Sequence, residues 1–201
     1  GAFLASMLLA MWLCLLFFNS WLVVGLIFWI GAIAAIVTFP SSQSLWGRAW
    51  IVGAVCLLFI PLFGQCLIHM YYVPQGKDLL LYLFFLVWAA DIGAYLAGKR
   101  WGQHKLIPQV SPGKSWEGAL GGLLLVLLVA VAGACYFHPL ALIRWFGLAL
   151  LIAVISIFGD LFISALKRRV HLKDTGSLIP GHGGVLDRLD SVIAALPFFY
   201  F

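Results

Sequence analysis

Charge is what this chain has least of. Among 201 residues, 12 are Lys or Arg and 7 are Asp or Glu, 9% in all, against roughly a quarter in a soluble domain. With 64% hydrophobic residues and a mean hydropathy of +1.10, an ordinary soluble domain is excluded. Cysteine is scarce as well. Cys14, Cys56, Cys66 and Cys135 stand singly in apolar runs with no CxxC pair. That argues against a disulfide framework or a thiolate metal site and for small packing or lipid-facing residues. The first apolar run lacks a basic flank and a clear cleavage site, so no secretory leader is read. Internal repeats, low-complexity tracts and linkers are also missing.

What is present is long, unbroken hydrophobicity. A transmembrane barrel would show short period-2 segments. Continuous runs of about 20 apolar residues are instead the length of a helix that crosses the bilayer core. Seven such segments are read, over 1–18, 21–39, 49–70, 79–98, 118–137, 145–165 and 189–201, with a tight turn at Asn19-Ser20 between the first two. The last is too short to span. The expected fold is an all-α, polytopic transmembrane bundle of about seven segments. It forms a single integral-membrane domain over 1–201, with N-terminal spans in 1–80 and the catalytic part in 81–201. The chain opens on Gly1 and stops at Phe201 inside an apolar run, so it reads as a fragment.

The few charges are unevenly placed. Loops 40–48, 99–117 and 166–188 fall on one side and carry Arg48, Lys99, Arg100, Lys105, Lys114, Lys167, Arg168, Arg169, Lys173 and Arg188. The other side has Lys77 and Arg144. The positive-inside rule puts the ten on the cytoplasmic face. The acidic residues follow the same face, Asp78 excepted. Asp91 lies eight residues before Lys99, about 12 Å below the helix end, and Asp160 lies seven before Lys167, about 10 Å below. Glu117 opens a helix; Asp187 and Asp190, three apart, share a helical face. An intramembrane carboxylate costs roughly 2.5–3.5 kcal/mol on insertion scales, so several at matched depth suggest one site with a cation among them. Oxygen-only ligands suit Mg2+. The alternative is a set of buried ion pairs with nearby Lys and Arg.

Two loops on that face have phosphate-handling chemistry. Ser111-Pro112-Gly113-Lys114-Ser115 sets a hydroxyl, a glycine and a lysine just before a helix, where free N–H groups and the dipole attract anions. It is not a Walker A loop, because Pro108 stands where that motif needs glycine. The second loop, within 164–190, concentrates Lys167, Arg168 and Lys173 with the run Pro180-Gly181-His182-Gly183-Gly184. Glycines there let backbone N–H groups approach a ligand closely, and the cations can hold phosphates. His182 is a candidate donor to a phosphate. Carboxylates for a metal, cations for phosphates and a site at membrane level together point to phosphoryl or nucleotidyl transfer to a lipid. With Asp160 just upstream, the working unit is 160–190.

That unit resembles the signature of the phosphatidate cytidylyltransferase (CDP-diacylglycerol synthase) family: Ser-x-x-Lys-Arg, four residues, Lys-Asp, then Pro-Gly-His-Gly-Gly-x-x-Asp-Arg-x-Asp. It is met at Ser164, Lys167, Arg168, Lys173, Asp174, Pro180, Gly181, His182, Gly183, Gly184, Asp187, Arg188 and Asp190. Asp91 in DIGAY and the SPGKSWEG block resemble upstream segments of the family. The resemblance implies transfer of the cytidylyl group of CTP to phosphatidic acid with Mg2+, giving CDP-diacylglycerol and pyrophosphate. It implies Asp160 and Asp187 as metal ligands, with Asp91 and Asp190 completing the acidic shell. Lys167, Arg168, Lys173 and Arg188 would hold phosphates. Ser111 and Lys114 would serve the nucleotide, and Ser164, His182 and Gly183 would be substrate-binding. It further implies a bacterial inner membrane with the site on its cytoplasmic face. Apolar grooves between helices would admit acyl chains. A homodimer is a candidate arrangement, and Gly118, Gly121 and Gly122 would suit either it or internal helix packing.

Two other functions are weighed. A CTP-dependent polyprenol or phytol kinase would move the γ-phosphoryl group to an alcohol. An ion-coupled transporter would spread its acidic groups through the membrane depth, whereas here they gather near one face. A CDP-alcohol phosphotransferase would need Asp-Gly-x-x-Ala-Arg, which the chain lacks.

Overall fold

The computed structural model describes residues 1–39, 48–169, 184 and 186–201. Among the described residues there are seven helices: α1 (Ala2–Leu16), α2 (Phe18–Val37), α3 (Ala49–Tyr72), α4 (Gly76–Trp101), α5 (Trp116–Phe137), α6 (Leu142–Arg169) and α7 (Leu186–Tyr200). They match the seven expected segments. Five contain stretches long and apolar enough to cross a membrane, Phe18–Val37, Trp50–Tyr72, Gly76–Trp101, Trp116–Phe137 and Leu142–Lys167, while α1 and α7 are shorter. The break between α1 and α2 is a single residue, Phe17, whose N–H donates to the Leu13 carbonyl. Asn19 and Ser20 therefore lie in the first turn of α2 and not in a turn between helices. Two small polar residues can cap a helix or sit inside its first turn, and the sequence alone does not separate these roles.

Large apolar side chains cover the outside, among them Ile27, Ile30, Leu124 and Leu128. In water such a surface would drive aggregation; in a bilayer it is the solvent-facing side. The interior is apolar too. Leu62, Leu83, Leu86, Ile152, Leu161 and Leu196 are fully buried. Backbone contact makes the α4–α5 pair the tightest in the bundle. A Cβ on Gly93 would lie 2.5 Å from the Gly121 carbonyl oxygen, and one on Gly122 would lie 2.7 Å from that of Ala90. Small residues let the two backbones touch in this way. The face made by Gly118, Gly121 and Gly122 is thus spent inside the protomer, against Ala94, Gly93 and Ala90.

One element was unforeseen. Between α4 and α5 stands an antiparallel hairpin, β1 (Lys105–Ile107) and β2 (Ser111–Ser115), pairing Lys105 with Ser115 and Ile107 with Ser111. Its turn is closed by the Val110 N–H to the Ile107 carbonyl, and the Val110 side chain is fully buried. Among the described residues the bundle is all-α apart from this hairpin.

A candidate active site at the loop end of the bundle

Each of three helices sets one aspartate at the same end of the bundle. Asp91 comes from α4, Asp160 from α6 and Asp190 from α7, and all three line one cavity of about 420 Å3. The hairpin completes the lining with Ser111, Gly113 and Lys114. The hairpin, the end of α6 and the start of α7 are therefore at one end, as the alternation of spans predicts. The opposite end holds Asp78, which accepts a hydrogen bond from the Tyr136 hydroxyl at 3.4 Å.

Lys114 is the cation among the described residues of this cavity. Its Nζ lies 2.8 Å from Oδ2 of Asp160 and donates to the Ile157 carbonyl at 3.0 Å. The other oxygen of Asp160 accepts from Ser164 Oγ at 3.1 Å, one helical turn further on. Asp190 accepts from the N–H of Ser191 at 2.7 Å, and the Ser191 hydroxyl ties α7 to the Ser156 carbonyl of α6 at 3.2 Å. Asp91 and Asp190 each interact electrostatically with Asp160 and with Lys114. Three carboxylates face one ammonium among the described lining residues. Among the described residues no three His, Cys, Asp or Glu side chains converge as a ready metal cage. Both sequence readings of the carboxylates thus have a foothold: they share a site, and one is already in an ion pair.

The SPGKS stretch departs from expectation. It is strand β2 and not a loop, and the N-terminus of α5 is largely occupied by the protein itself. Ser115 caps the helix, its Oγ accepting from the Gly118 N–H at 3.1 Å, and the Trp116 N–H donates to the His104 carbonyl at 2.9 Å. An anion would have to compete with those bonds, so what the segment offers the cavity is the Lys114 side chain together with Ser111 and Gly113. Glu117 also parts from the other carboxylates. It pairs with His104, Nδ1 to Oε1 at 2.6 Å, and its carboxylate accepts from the His104 N–H. Their pairing was not foreseen, since a Glu and a His 13 apart leave no local signature. Together they pin the outer edge of the hairpin, while Lys114 pins its inner edge.

Of the other expected site residues, Lys167 lies near the end of α6, beside Asp190 on the wall of a second cavity. Asp187 and Arg188 fall in the first turn of α7 and Arg168 in the last turn of α6, but their side chains are outside the description, and Lys173, Asp174, His182 and Gly183 are outside the described residues. Gly184 is described and buried.

A family model described as "Cytidylyltransferase family" matches residues 1–201. The chain is 41% identical over 182 residues to the phosphatidate cytidylyltransferase of Pseudomonas aeruginosa, covering 89% of this chain and 66% of that protein. It is 41% identical over 195 residues to that of Haemophilus influenzae, with the same coverage. A third relative of that name, from Staphylococcus aureus, is 41% identical over 148 residues, covering 72% of this chain and 56% of the relative. The chain thus spans about two thirds, or less, of the length of these relatives.

Proposed function

Because this chain belongs to the cytidylyltransferase family, we propose that the protein containing it transfers the cytidylyl group of CTP to phosphatidic acid, on the cytoplasmic face of a bacterial inner membrane. The observation that carries the reading is that Asp91, Asp160 and Asp190 line one cavity with Lys114 at one end of an apolar bundle. An oxygen of the lipid phosphate attacks the α-phosphorus of CTP. The bond from that phosphorus to the oxygen bridging α and β breaks, and pyrophosphate leaves. The lipid phosphate is already anionic, so no general base is required.

The donor set fits a hard divalent cation, since the described acidic lining offers carboxylate oxygens with no thiol or imidazole. Mg2+ needs only one or two carboxylates when water and substrate phosphates supply the rest, so the lack of a three-ligand cage is no obstacle. Asp160 with Asp91 or Asp190 would hold it, Asp187 joining from α7. When bound, the ion neutralises phosphate charge and polarises the reacting phosphorus. The chain's own part is positioning. Lys114 exchanges Asp160 for a phosphate oxygen of CTP, Ser111 supplies a hydroxyl on the same strand, and Ser164 fixes the orientation of Asp160. Cations of the 160–190 unit, Lys167, Arg168, Lys173 and Arg188, take the remaining phosphate charge. A homodimer would use a surface other than the α5 glycine face.

CTP labelled at the α-phosphate tests the reading in the full-length protein. Label should enter the lipid fraction; label confined to CDP would establish the polyprenol kinase instead. Asp160→Asn should lower Mg2+-dependent turnover at least about 100-fold, the scale of removing one group that stabilises transition-state charge. Near-normal turnover in a folded variant would refute its metal role.

A further inference from the structure

A second cavity, of about 340 Å3, lies across the α6–α7 pair from the first. Its walls come from α2, α3, α6 and α7, and they are almost wholly apolar, with Trp29, Val55, Phe59, Phe162 and Ile163 prominent. Trp29 stacks its ring at 5.5 Å from both Phe59 and Phe162, giving the cavity a rigid aromatic side. Two charged residues line it, Lys167 and Asp190. Asp190 also lines the hairpin cavity, so the two chambers meet at that residue. Beside it the helices close together: a Cβ on Gly159 would lie 2.6 Å from the Ala194 Cβ and 3.1 Å from the Asp190 carbonyl oxygen.

The two chambers differ in chemistry. The hairpin chamber has hydroxyls, carboxylates and an ammonium. The second would strip a nucleotide of its hydrogen bonds without replacing them, whereas hydrocarbon loses nothing there. Lys167 complements an anionic head. Trp29 adds a further clue. Its buried indole N–H has no hydrogen-bond partner among the described residues, and an ester carbonyl is an acceptor that a bare hydrocarbon chain lacks.

Resting on the cytidylyl-transfer reading, we infer that this second chamber is the lipid subsite: it takes the ester-linked acyl part of a phosphomonoester lipid, head towards Lys167 and Asp190. The nucleotide occupies the hairpin chamber. The substrates reach the reaction from opposite flanks of α6–α7 and meet at Asp190. Neither crosses the other's chamber, and the aromatic wall limits how much acyl chain is accommodated.

Cys56 lines the lipid chamber and is half-buried, so Cys56→Trp in the full-length enzyme fills it. The expected result is a KM for long-chain phosphatidic acid raised about tenfold or more, the effect of losing one or two methylene contacts, with the KM for CTP unchanged and short-chain substrate spared. Trp29→Phe keeps the ring and removes the donor; it should narrow the preference for diacyl over dialkyl phosphatidic acid. A phosphatidic acid with a photoreactive diazirine in its chain, mapped by mass spectrometry, reads the site without turnover and covers any variant that fails to fold. Cross-links to 52–60 or 159–167 are expected. Cross-links to the hairpin chamber, or an unchanged lipid KM in folded Cys56→Trp, overturn the assignment. Failure of the underlying reading looks different: wild-type enzyme would then put no α-label into lipid at all.

Discussion

Lys114 and Glu117 lie three residues apart and do different work. Lys114 points its ammonium into the cavity, onto Asp160 and the Ile157 carbonyl. Glu117 holds the His104 edge of the hairpin, where the histidine is largely exposed. Lys114→Met should raise the KM for CTP about tenfold or more, the scale of one hydrogen bond to a charged partner. Titrating turnover against CTP checks it, and an unchanged KM would remove Lys114 from the nucleotide site. Glu117→Ala should leave turnover within about fivefold, because exposed ion pairs are worth ~1 kcal/mol or less. A loss as deep as that of Asp160→Asn would put Glu117 back among the site carboxylates.

At the scale of elements, the site depends on how closely α4 and α5 approach. Asp91 sits on the stretch of α4 that packs against the glycines of α5, and β2 leads directly into α5 through the Ser115 cap. Any separation of the two helices moves both Asp91 and Lys114. Gly121→Leu would drive a side chain into the Ala97 Cβ and towards the Gly93 carbonyl. Overpacking ordinarily costs about 1–3 kcal/mol, and here a backbone would have to yield. A clear drop in thermal stability in detergent is expected, with lost turnover even in the folded fraction. Leu120→Ala, one residue away on the exposed face, should change neither. Equal damage from both would mean that the close approach is not what matters.

For the whole molecule, the uneven charge predicts a fixed orientation. Lys105 lies in the hairpin and Leu140 in the connection between α5 and α6, at opposite ends of the bundle. With the native cysteines replaced, Lys105→Cys should react with an impermeant maleimide from the cytoplasmic side and Leu140→Cys from the other. Reaction of both from one side would break the alternation of spans on which the shared face rests. Five helices long and apolar enough to cross a bilayer and an apolar exterior make the membrane the solvent of this chain.

The sequence by itself determined the number, order and approximate limits of the seven helices, because burial in lipid requires unbroken apolar runs whose length the bilayer sets. It also determined that the α4–α5 connection, the end of α6 and the start of α7 share an end, since spans alternate direction. It placed Asp91 and Asp160 at similar depth, because helical rise converts residue count into distance. Contacts between residues far apart in the chain were decided only by tertiary structure. Lys114 and Asp160 are 46 residues apart, and nothing local marks them as partners. The hairpin carries only eight strand residues and takes its place from the burial of Val110 and the His104–Glu117 pair. The internal use of the α5 glycines and the gathering of Asp91, Asp160 and Asp190 around one cavity follow from which helix faces pack together. In a chain apolar on nearly every face, hydrophobic periodicity is too weak to show that, so side-chain fit decides it.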